Sequence, residues 1–433
     1  MNYIRGRKIL VLVLLGVITL VVAQQPIRQQ RPDAAIHRQI ATRAETISPS
    51  LIEVRRNLHR HPELSGREQL TAERIKNYLT NLGLEVESGL GGHGVLGILR
   101  GGKAGPIIAW RADIDAIQDT SSDGVEFKSE NLGVKHSCGH DVHTAIGLGI
   151  ADVLSSVRTQ LTGTVLFVFQ PAEENLTGAR AMLDAGIFKG RKPDAMFALH
   201  IAPLPSGVVA VKPMEMYAYR MRIGIELKDV ASQDEVVKTC AGLFKEANIP
   251  HGSNVLSLPL LEGENSIFNP HGIFANYVAV AGAPRFRRLN DSVSVVESLA
   301  FATSDSITRA AVAGLKEKLS SSQLKDKLLT VSYAPLHPTV TNDPELTSAS
   351  LRILQEIAGT ERITPLYGII PRFNDDFLFF QRESKTVYFL LGGSDFQKGI
   401  VSMPHTSTFA VDESCISRGV SMFASLLFEI ARR

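Results

Sequence analysis

Two stretches in the first hundred residues have apolar side chains at every third or fourth position. Residues 48–59 and 67–82 carry these stripes, which predict two amphipathic helices. Short apolar runs bounded by glycine follow, with further helical patterns among them. The strand-like runs are 95–99, 107–110, 165–169 and 387–391, and the helical patterns are 144–157, 178–185, 351–358 and 413–431. Strands that alternate with helices predict an α/β domain whose sheet is covered on both faces.

The pattern changes near residue 219, where apolar and polar residues begin to alternate. Residues 221–227 have the period of two that is typical of a strand with one solvated face. Ser232 and Glu235 form a capping box, which predicts that a helix begins there. Apolar runs at 255–261 and 277–281, a helical pattern at 306–319 and a strand pattern at 328–333 follow. The order strand, helix, strand, strand, helix, strand (βαββαβ) predicts a small α+β sandwich inserted into the first domain.

A chain of 433 residues is long enough for two domains. We predict one catalytic domain built from residues 45–213 and 331–433. Residues 214–330 form the predicted inserted lid. Residues 24–44, which begin with a stretch rich in Gln, Arg and Pro, are predicted to be a tether.

The first 23 residues predict an export signal. Arg5, Arg7 and Lys8 precede the uncharged apolar run 9–23, which ends in small residues before Gln24. The run is shorter than the about 20 residues that a bilayer core needs. We therefore expect cleavage and an exported protein, periplasmic or secreted, without a stable membrane span. An uncleaved N-terminal anchor is the alternative.

Composition excludes several classes of protein. Hydrophobic residues make up 44% and charged residues 21% of the chain, which is typical of a globular protein. Lys and Arg number 46 against 44 acidic residues, so the net charge of +2 lacks the basic excess that nucleic-acid binding requires. Three cysteines are too few, and odd in number, for a disulfide framework. Cys138 is thereby available for other chemistry.

Metal-binding residue types stand at two places in the first half. Cys138 and His140 are separated by one glycine, so a thiolate and an imidazole can close on one borderline-soft ion. Glu173 and Glu174 follow the strand-like run 165–169. Adjacent carboxylates at a strand end point to different sides, so one can bind a metal while the other acts on water.

Two histidines complete the candidate set. His200 ends the apolar run 195–199, and His405 lies between the run 387–391 and the last helix. Residues at the carboxyl ends of strands lie on one rim of an α/β sheet. The candidate ligands on that rim are Cys138, His140, Glu174, His200 and His405. Five ligands suffice for two metal ions that share one of them, with Glu173 left as a base.

Several motifs, in this order and spacing, resemble the M20 metallopeptidase family. Their order and spacing resemble its amidohydrolase branch, which includes the aminoacylases, hippurate hydrolases and plant auxin-conjugate hydrolases. The motifs are residues 58–65 (LHRHPELS), 110–116 (WRADIDA), 136–144 (HSCGHDVHT), 169–174 (FQPAEE), 198–200 (ALH) and 338–344 (PTVTNDP). The resemblance covers about 45–213 and 335 to the end.

This resemblance implies a particular fold, a two-metal centre and a role for each of several residues. The fold is a metal-dependent exopeptidase-like catalytic domain with a lid that closes on substrate. The five ligands hold two divalent ions, with Zn²⁺ favoured by the mixed ligand set and Mn²⁺, Co²⁺ or Ni²⁺ as alternatives. Glu173 is the general base. Asp115, and with less support Asp141, orients a ligand, and the lid's strand edge is a candidate dimer contact.

The lid departs from that branch. Where the branch has a Gly-Gly-His-Ala-Ala segment, residues 227–234 contain neither histidine nor glycine, and His251 and His271 lie in other contexts. Residues 373–377 (FNDDF) match the acidic Ser-Glu-Asp-Phe segment loosely. If the missing lid histidine is an oxyanion donor, its loss costs on the order of 10²–10³ in rate.

The sequence predicts a metal-dependent amidohydrolase for N-acyl amino acids or related conjugates. The alternatives are a dipeptidase or carboxypeptidase with the same site, and a catalytically silent binding protein.

Overall fold

A mixed eight-stranded sheet is the centre of the part of the chain that the computed structural model describes, residues 34–433. The predicted export signal and the first residues of the predicted tether lie outside these residues. The helices are α1 (Ala34–Arg60), α2 (Gln69–Asn81), α3 (His140–Ser156), α4 (Gly178–Asp184), α5 (Gln233–Glu246), α6 (Asp305–Ser320), α7 (Pro344–Ala358) and α8 (Ser414–Ile430).

The strands belong to the large sheet, a small sheet and two short pairs. They are β1 (Glu85–Leu90), β2 (Gly94–Arg100), β3 (Lys103–Asp113), β4 (Ile117–Gln118), β5 (Val134–Lys135), β6 (Thr162–Gln170), β7 (Ala195–Pro205), β8 (Val209–Val211), β9 (Met214–Glu215), β10 (Tyr219–Lys228), β11 (Val278–Arg288), β12 (Val293–Ala302), β13 (Leu328–His337), β14 (Thr341–Asn342), β15 (Ile363–Pro365) and β16 (Lys385–Ser394). The large sheet has the order β1-β2-β6-β3-β7-β16-β8-β15.

The four central strands of the large sheet run parallel to one another. β6, β3, β7 and β16 pair in this way, and their core-facing stretches are almost entirely buried. Parallel strands covered on both faces read as continuous apolar runs, which is why the sequence located them. Helices α1, α3 and α8 cover one face. Helix α4 and a 3₁₀ helix at Asp376–Arg382 pack on the other. The predicted α/β class is confirmed.

The small sheet is antiparallel, with the order β11-β12-β10-β13, and α5 and α6 contribute to its apolar cluster. The chain order β10, α5, β11, β12, α6, β13 is the predicted βαββαβ arrangement. Ser232 caps α5, because its hydroxyl accepts a hydrogen bond from the Glu235 backbone N–H. Its strands run from Tyr219 to His337.

One predicted strand of the lid is wrong. Residues 255–261 form a 3₁₀ helix, Val255–Ser257, and irregular chain, and β12 supplies the strand instead. Val255 is fully buried, but against the cluster on the large sheet and not against the small sheet. The apolar run therefore reflects burial between the two sheets, which a periodicity analysis cannot distinguish from strand pairing.

The N-terminal helix begins earlier than the sequence indicated. α1 starts at Ala34, inside the segment 24–44 that was predicted as a tether, and Ile36, Ile40 and Ala44 are buried in the main core. The described residues belong to one compact unit, and the domain boundaries drawn from the sequence stay a prediction. Among residues 34–433, none of the helices combines the length and apolar composition that crossing a bilayer demands.

Candidate metal centre

Cys138 and His140 lie where α3 begins, at the carboxyl ends of the central strands. His140 is the first residue of the helix, and Gly139 precedes it with a φ of +94°. A Cβ at Gly139 would lie 2.5 Å from Ile201 Cγ2, so both the backbone conformation and the space require glycine. The tight turn brings the thiol and the imidazole to the same side of the helix start. All three cysteines of the described chain are free and buried.

The other candidates arrive from three separate elements. Glu173 and Glu174 follow β6 in a turn that is held by Glu68, whose carboxylate accepts the Ala172 N–H at 2.9 Å. His200 lies within β7. His405 lies in the loop between β16 and α8 and has a φ of +58°, which is uncommon for a residue with a side chain. Its backbone N–H donates to Ser137 O at 2.9 Å, which ties this loop to the Cys138 turn.

The structure brings all five predicted ligands together. Cys138 Sγ lies 3.2 Å from His200 Nε2 and 3.1 Å from His405 Nε2. Glu174 Oε1 lies 3.1 Å from His405 Nε2 and 3.8 Å from His140 Nε2. The ligand atoms fall into two groups, each within 4.8 Å, one of Cys138, His140 and His200 and the other of Cys138, Glu174 and His405. Cys138 belongs to both groups and is the residue that two ions would share.

Two of the donor atoms at the centre have no hydrogen-bond partner, which fits a place for a divalent ion. His140 Nε2 and Glu174 Oε1 are buried and form no hydrogen bond. Buried polar atoms without a partner are rare in folded proteins, and two such atoms at one point favour a site that can hold an ion. Thiolate, imidazole and carboxylate together are the donor set of Zn²⁺ and of the neighbouring transition metals.

Hydrogen bonds on the far side fix the two imidazole rings. His140 Nδ1 lies 2.9 Å from Asp115 O and 3.1 Å from Asp115 Oδ1, which directs Nε2 into the centre. His200 Nδ1 donates to Ile201 O at 2.7 Å with the same effect. Asp115 also accepts the Glu174 N–H at 3.0 Å. Burial acts against the charge of Asp115, but the hydrogen bond from His140 leaves its pKa below the usual value.

Asp141 takes part in a different network. Its carboxylate lies 2.8 Å from Arg55 Nε and 2.9 Å from His59 Nδ1, and all three side chains are buried. None of these contacts reaches one of the five candidate ligands. The geometry therefore connects Asp115, and not Asp141, with the orientation of a ligand.

Glu173 lies beside the centre, where its carboxylate faces His140 and two aspartates. Its Oε2 lies 3.9 Å from His140 Nε2, and its carboxylate is within 4.8 Å of those of Asp375 and Asp376. Burial, reinforced by the Asp375 and Glu174 carboxylates, raises the pKa of Glu173 well above its ordinary range. A carboxylate with a raised pKa is suited to accept and return a proton near neutral pH.

Sequence reasoning missed a buried ion network behind the centre. Arg111 lies 2.6 Å from Asp113 and 2.9 Å from Asp375, and its side chain has no exposed surface. Asp113 in turn accepts a hydrogen bond from His143 Nδ1, and His143 Nε2 accepts the Ile201 N–H at 2.8 Å. The motif 110–116 contained the signal, since charged residues inside a buried strand require partners.

A cleft of about 560 Å³ opens over the centre. Cys138, Glu173, Glu174, His200 and His405 line one side of it. Arg220 of β10, Arg372 and Asn374 line it as well, together with apolar residues between 255 and 260. Within residues 34–433 neither arginine forms an ion pair. The cleft thus offers two uncommitted cations to a ligand.

A thiol, imidazoles and carboxylates gathered at the strand ends of an α/β sheet, under a split βαβ domain, define a metal-dependent hydrolase. The chain belongs to peptidase family M20/M25/M40, because the sequence profile of that family matches residues 109–429. The resemblance seen in the sequence is confirmed, and the protein is a hydrolase of C–N bonds.

Relatives of differing activity match most of the chain. Thermostable carboxypeptidase 2 of Saccharolobus solfataricus is 29% identical over 408 residues, 88% of this chain and 96% of that protein. N-acetyldiaminopimelate deacetylase of Geobacillus sp. is 28% identical over 398 residues, 88% of this chain and 98% of that protein. The solved structure of Bacillus subtilis YXEP, a dinuclear metal-binding peptidase of the M20 family, is 25% identical with a TM-score of 0.69, covering 90% of this chain and 99% of that one.

Proposed function

We propose that the protein hydrolyses the amide bond of N-acyl amino acids, with Cys138, His140, Glu174, His200 and His405 holding two divalent ions. The observation that carries the proposal is the position of Glu173, a buried carboxylate that belongs to neither ligand group containing Cys138, at the edge of this ligand cluster and open to the cleft. The donor set favours Zn²⁺. Export and dimerisation through the lid's strand edge remain proposals from the sequence alone.

Each residue has a separate task in the reaction. Two divalent ions held by the five ligands would supply a water of lowered pKa and polarise the amide carbonyl. Glu173 accepts the proton that the water loses as its oxygen adds to the carbonyl carbon. The same carboxylic acid then protonates the amine nitrogen as the C–N bond breaks, so Glu173 ends as it began. Asp115 holds His140 and the Glu174 backbone in place throughout.

The two cleft arginines would replace the histidine that the lid lacks as the contact for the polar end of the substrate. Arg220 and Arg372 are exposed to the cleft and lie on its rim with Asn374, the residue next to Asp375. Guanidinium groups bind carboxylates through paired hydrogen bonds. A free carboxylate on the amine half of the substrate would pair with these two guanidinium groups. The C-terminal residue of a short peptide has the same group, and a carboxypeptidase is among the matching relatives, so carboxypeptidase activity is the second candidate.

We expect Arg372→Gln, and independently Arg220→Gln, to raise KM for an N-acyl amino acid about 10- to 100-fold. A hydrogen bond to a charged group contributes about 1.5–3 kcal/mol, which corresponds to that range. Steady-state kinetics measure the effect. The same variants should leave KM unchanged for the corresponding N-acyl amino acid amide, which lacks the carboxylate. Arg222→Gln, two positions along β10 and outside the cleft, is the control. Equal losses on both substrates would contradict the assignment.

We expect Asp115→Asn to weaken metal affinity about 10- to 100-fold, because residues that orient a metal-binding histidine have effects of this size. The change removes the negative charge beside His140 Nδ1 and retains the shape of the side chain. Competition with a chromogenic chelator gives the dissociation constant directly, without reference to activity. Asp234→Asn, at the exposed start of α5, is the matched control. An unchanged dissociation constant for Asp115→Asn would refute the role.

A further inference from the structure

A second, smaller cavity lies directly beside the candidate metal centre. Its volume is about 50 Å³, and six residues line both it and the large cleft, namely His200, Tyr217, Leu260, Phe373, Met403 and Pro404. Apart from His200 and Tyr217, every side chain that lines it is apolar. The cavity is therefore an apolar extension of the larger cleft, which also contains the charged residues of the centre.

The outer wall of this cavity comes from residues 249–276, which we name the strap. The strap connects α5 to β11 within the lid sequence, yet Val255, Ile267 and Phe274 are buried in the cluster on the large sheet. Leu260, Leu261 and Phe268 of the strap face the cavity.

Backbone hydrogen bonds fix the strap in this position. Ile267 O accepts the N–H groups of Tyr367 and Gly368 at 2.9 and 2.8 Å, and Phe274 O accepts the Ile369 N–H at 2.8 Å. Within the strap, the Ile267 N–H donates to Leu260 O at 2.8 Å. Gly368 has no room for a side chain, since a Cβ there would lie 2.8 Å from Ile267 Cα. The wall is thus built into the fold, and the cavity exists before any ligand arrives.

The arrangement of the groups determines which half of a substrate meets the cavity. Glu173, Arg220 and Arg372 line the large cleft and not the cavity, whereas His200 lines both. The leaving amine must lie at Glu173, which protonates it, and its carboxylate at the arginines. The other side of the scissile carbonyl, the acyl group, is then left for the apolar cavity beyond His200.

We propose that this cavity is the acyl-group pocket and that its size selects short alkyl chains. The inference rests on the proposed function and specifies its substrate class. An apolar cavity of about 150 Å³ accommodates benzene, so about a third of that volume accommodates two or three carbon atoms. Acetyl, propanoyl and butanoyl groups fit. Benzoyl and hexanoyl groups would have to displace the strap.

The test is kcat/KM for one amino acid carrying acetyl, propanoyl, butanoyl, hexanoyl and benzoyl groups, with the metal-loaded protein. Burial of one methylene corresponds to about a three- to fourfold gain, so kcat/KM should rise by that factor per carbon up to butanoyl. It should then fall at least tenfold for hexanoyl and benzoyl. A profile that keeps rising through hexanoyl would overturn the size limit.

Two variants change the cavity in opposite directions. Leu261→Ala enlarges the cavity at the strap and should move the preferred acyl group toward hexanoyl. Ala202→Leu fills part of the cavity and should leave the acetyl compound as the best substrate. Ile273→Ala is the matched control, because this half-buried strap residue lines neither cavity and its loss should not alter the order of preference. A profile that neither cavity variant moves would overturn the assignment.

Binding measured without turnover separates this inference from the proposed function. Calorimetric titration of Glu173→Ala with the same compounds should give dissociation constants that follow the same chain-length order. If the wild-type protein cleaves none of the compounds but the titrations show that order, the function fails and the pocket stands. If the protein cleaves them with no dependence on chain length, the pocket fails and the function stands.

Discussion

Glu173→Ala will lower kcat for an N-acyl amino acid by about 10²–10⁴-fold while the protein keeps its bound metal. This is the range that a positioned general acid–base contributes. Glu173 lies 3.9 Å from His140 Nε2 and lines the cleft, but it belongs to neither of the two ligand groups that share Cys138. Removing it should therefore take away proton transfer and leave the ligands of both ions. KM should change little, because the arginines that would hold the substrate carboxylate are untouched.

The adjacent carboxylate provides the control for this experiment. Glu174→Ala removes a side chain whose Oε1 lies 3.1 Å from His405 Nε2, so it should release metal as well as activity. Elemental analysis of both purified variants, beside their kinetics, distinguishes the two roles. Loss of metal from Glu173→Ala with retention in Glu174→Ala would show that the roles are reversed. Retention of full activity by Glu173→Ala would refute the proposed mechanism altogether.

Arg111→Met will lower the free energy of unfolding by about 3–5 kcal/mol, the cost of removing one partner from a buried ion pair. Arg111 has no exposed surface and lies 2.6, 2.9 and 3.3 Å from the carboxylates of Asp113, Asp375 and Asp376. Its Nε also donates to Gln170 Oε1 at 2.8 Å. Methionine has a similar length but no charge. Three buried carboxylates would then lose the guanidinium group that they share.

Trp110 reports on this change directly, because it is the sole tryptophan of the chain, is buried, and precedes Arg111. Urea unfolding followed by its fluorescence gives the difference between the variant and the wild type. Arg180→Met is the control, since Arg180 and Asp184 form an exposed pair within α4 that should contribute less than about 0.5 kcal/mol. Adding Asp376→Asn to Arg111→Met should restore part of the loss. A loss for Arg111→Met no larger than that of the control would contradict the importance of the network.

Much of the local structure was predictable because it depends on neighbours along the chain. The alternation in residues 221–227 located β10, and the pair Ser232 and Glu235 located the start of α5. Continuous apolar runs located the buried parallel strands β6 and β16. The candidate ligands could be named for the same reason, since each follows or ends such a run and strand ends share one rim.

The features that the sequence did not predict all depend on contacts between distant parts of the chain. Arg111 meets Asp375 and Asp376 across more than 260 positions, and no local pattern records that such charges will be paired. Residues 255–261 are apolar enough for a strand, but they pack between the two sheets as part of the strap. Arg220 and Arg372 resemble ordinary surface residues until the fold places both over the ligand cluster.

By itself the sequence determined the α/β class, the βαββαβ insertion, the family and the side chains gathered at the strand ends. Periodicity and short motifs carry that information, because hydrophobic burial and strand termini impose it within a few residues. The tertiary structure decided which carboxylate supports His140, which cations face the cleft, and that the strap closes a small apolar cavity beside His200. Those facts depend on close packing between segments far apart in the chain, and only the folded protein brings such segments into contact.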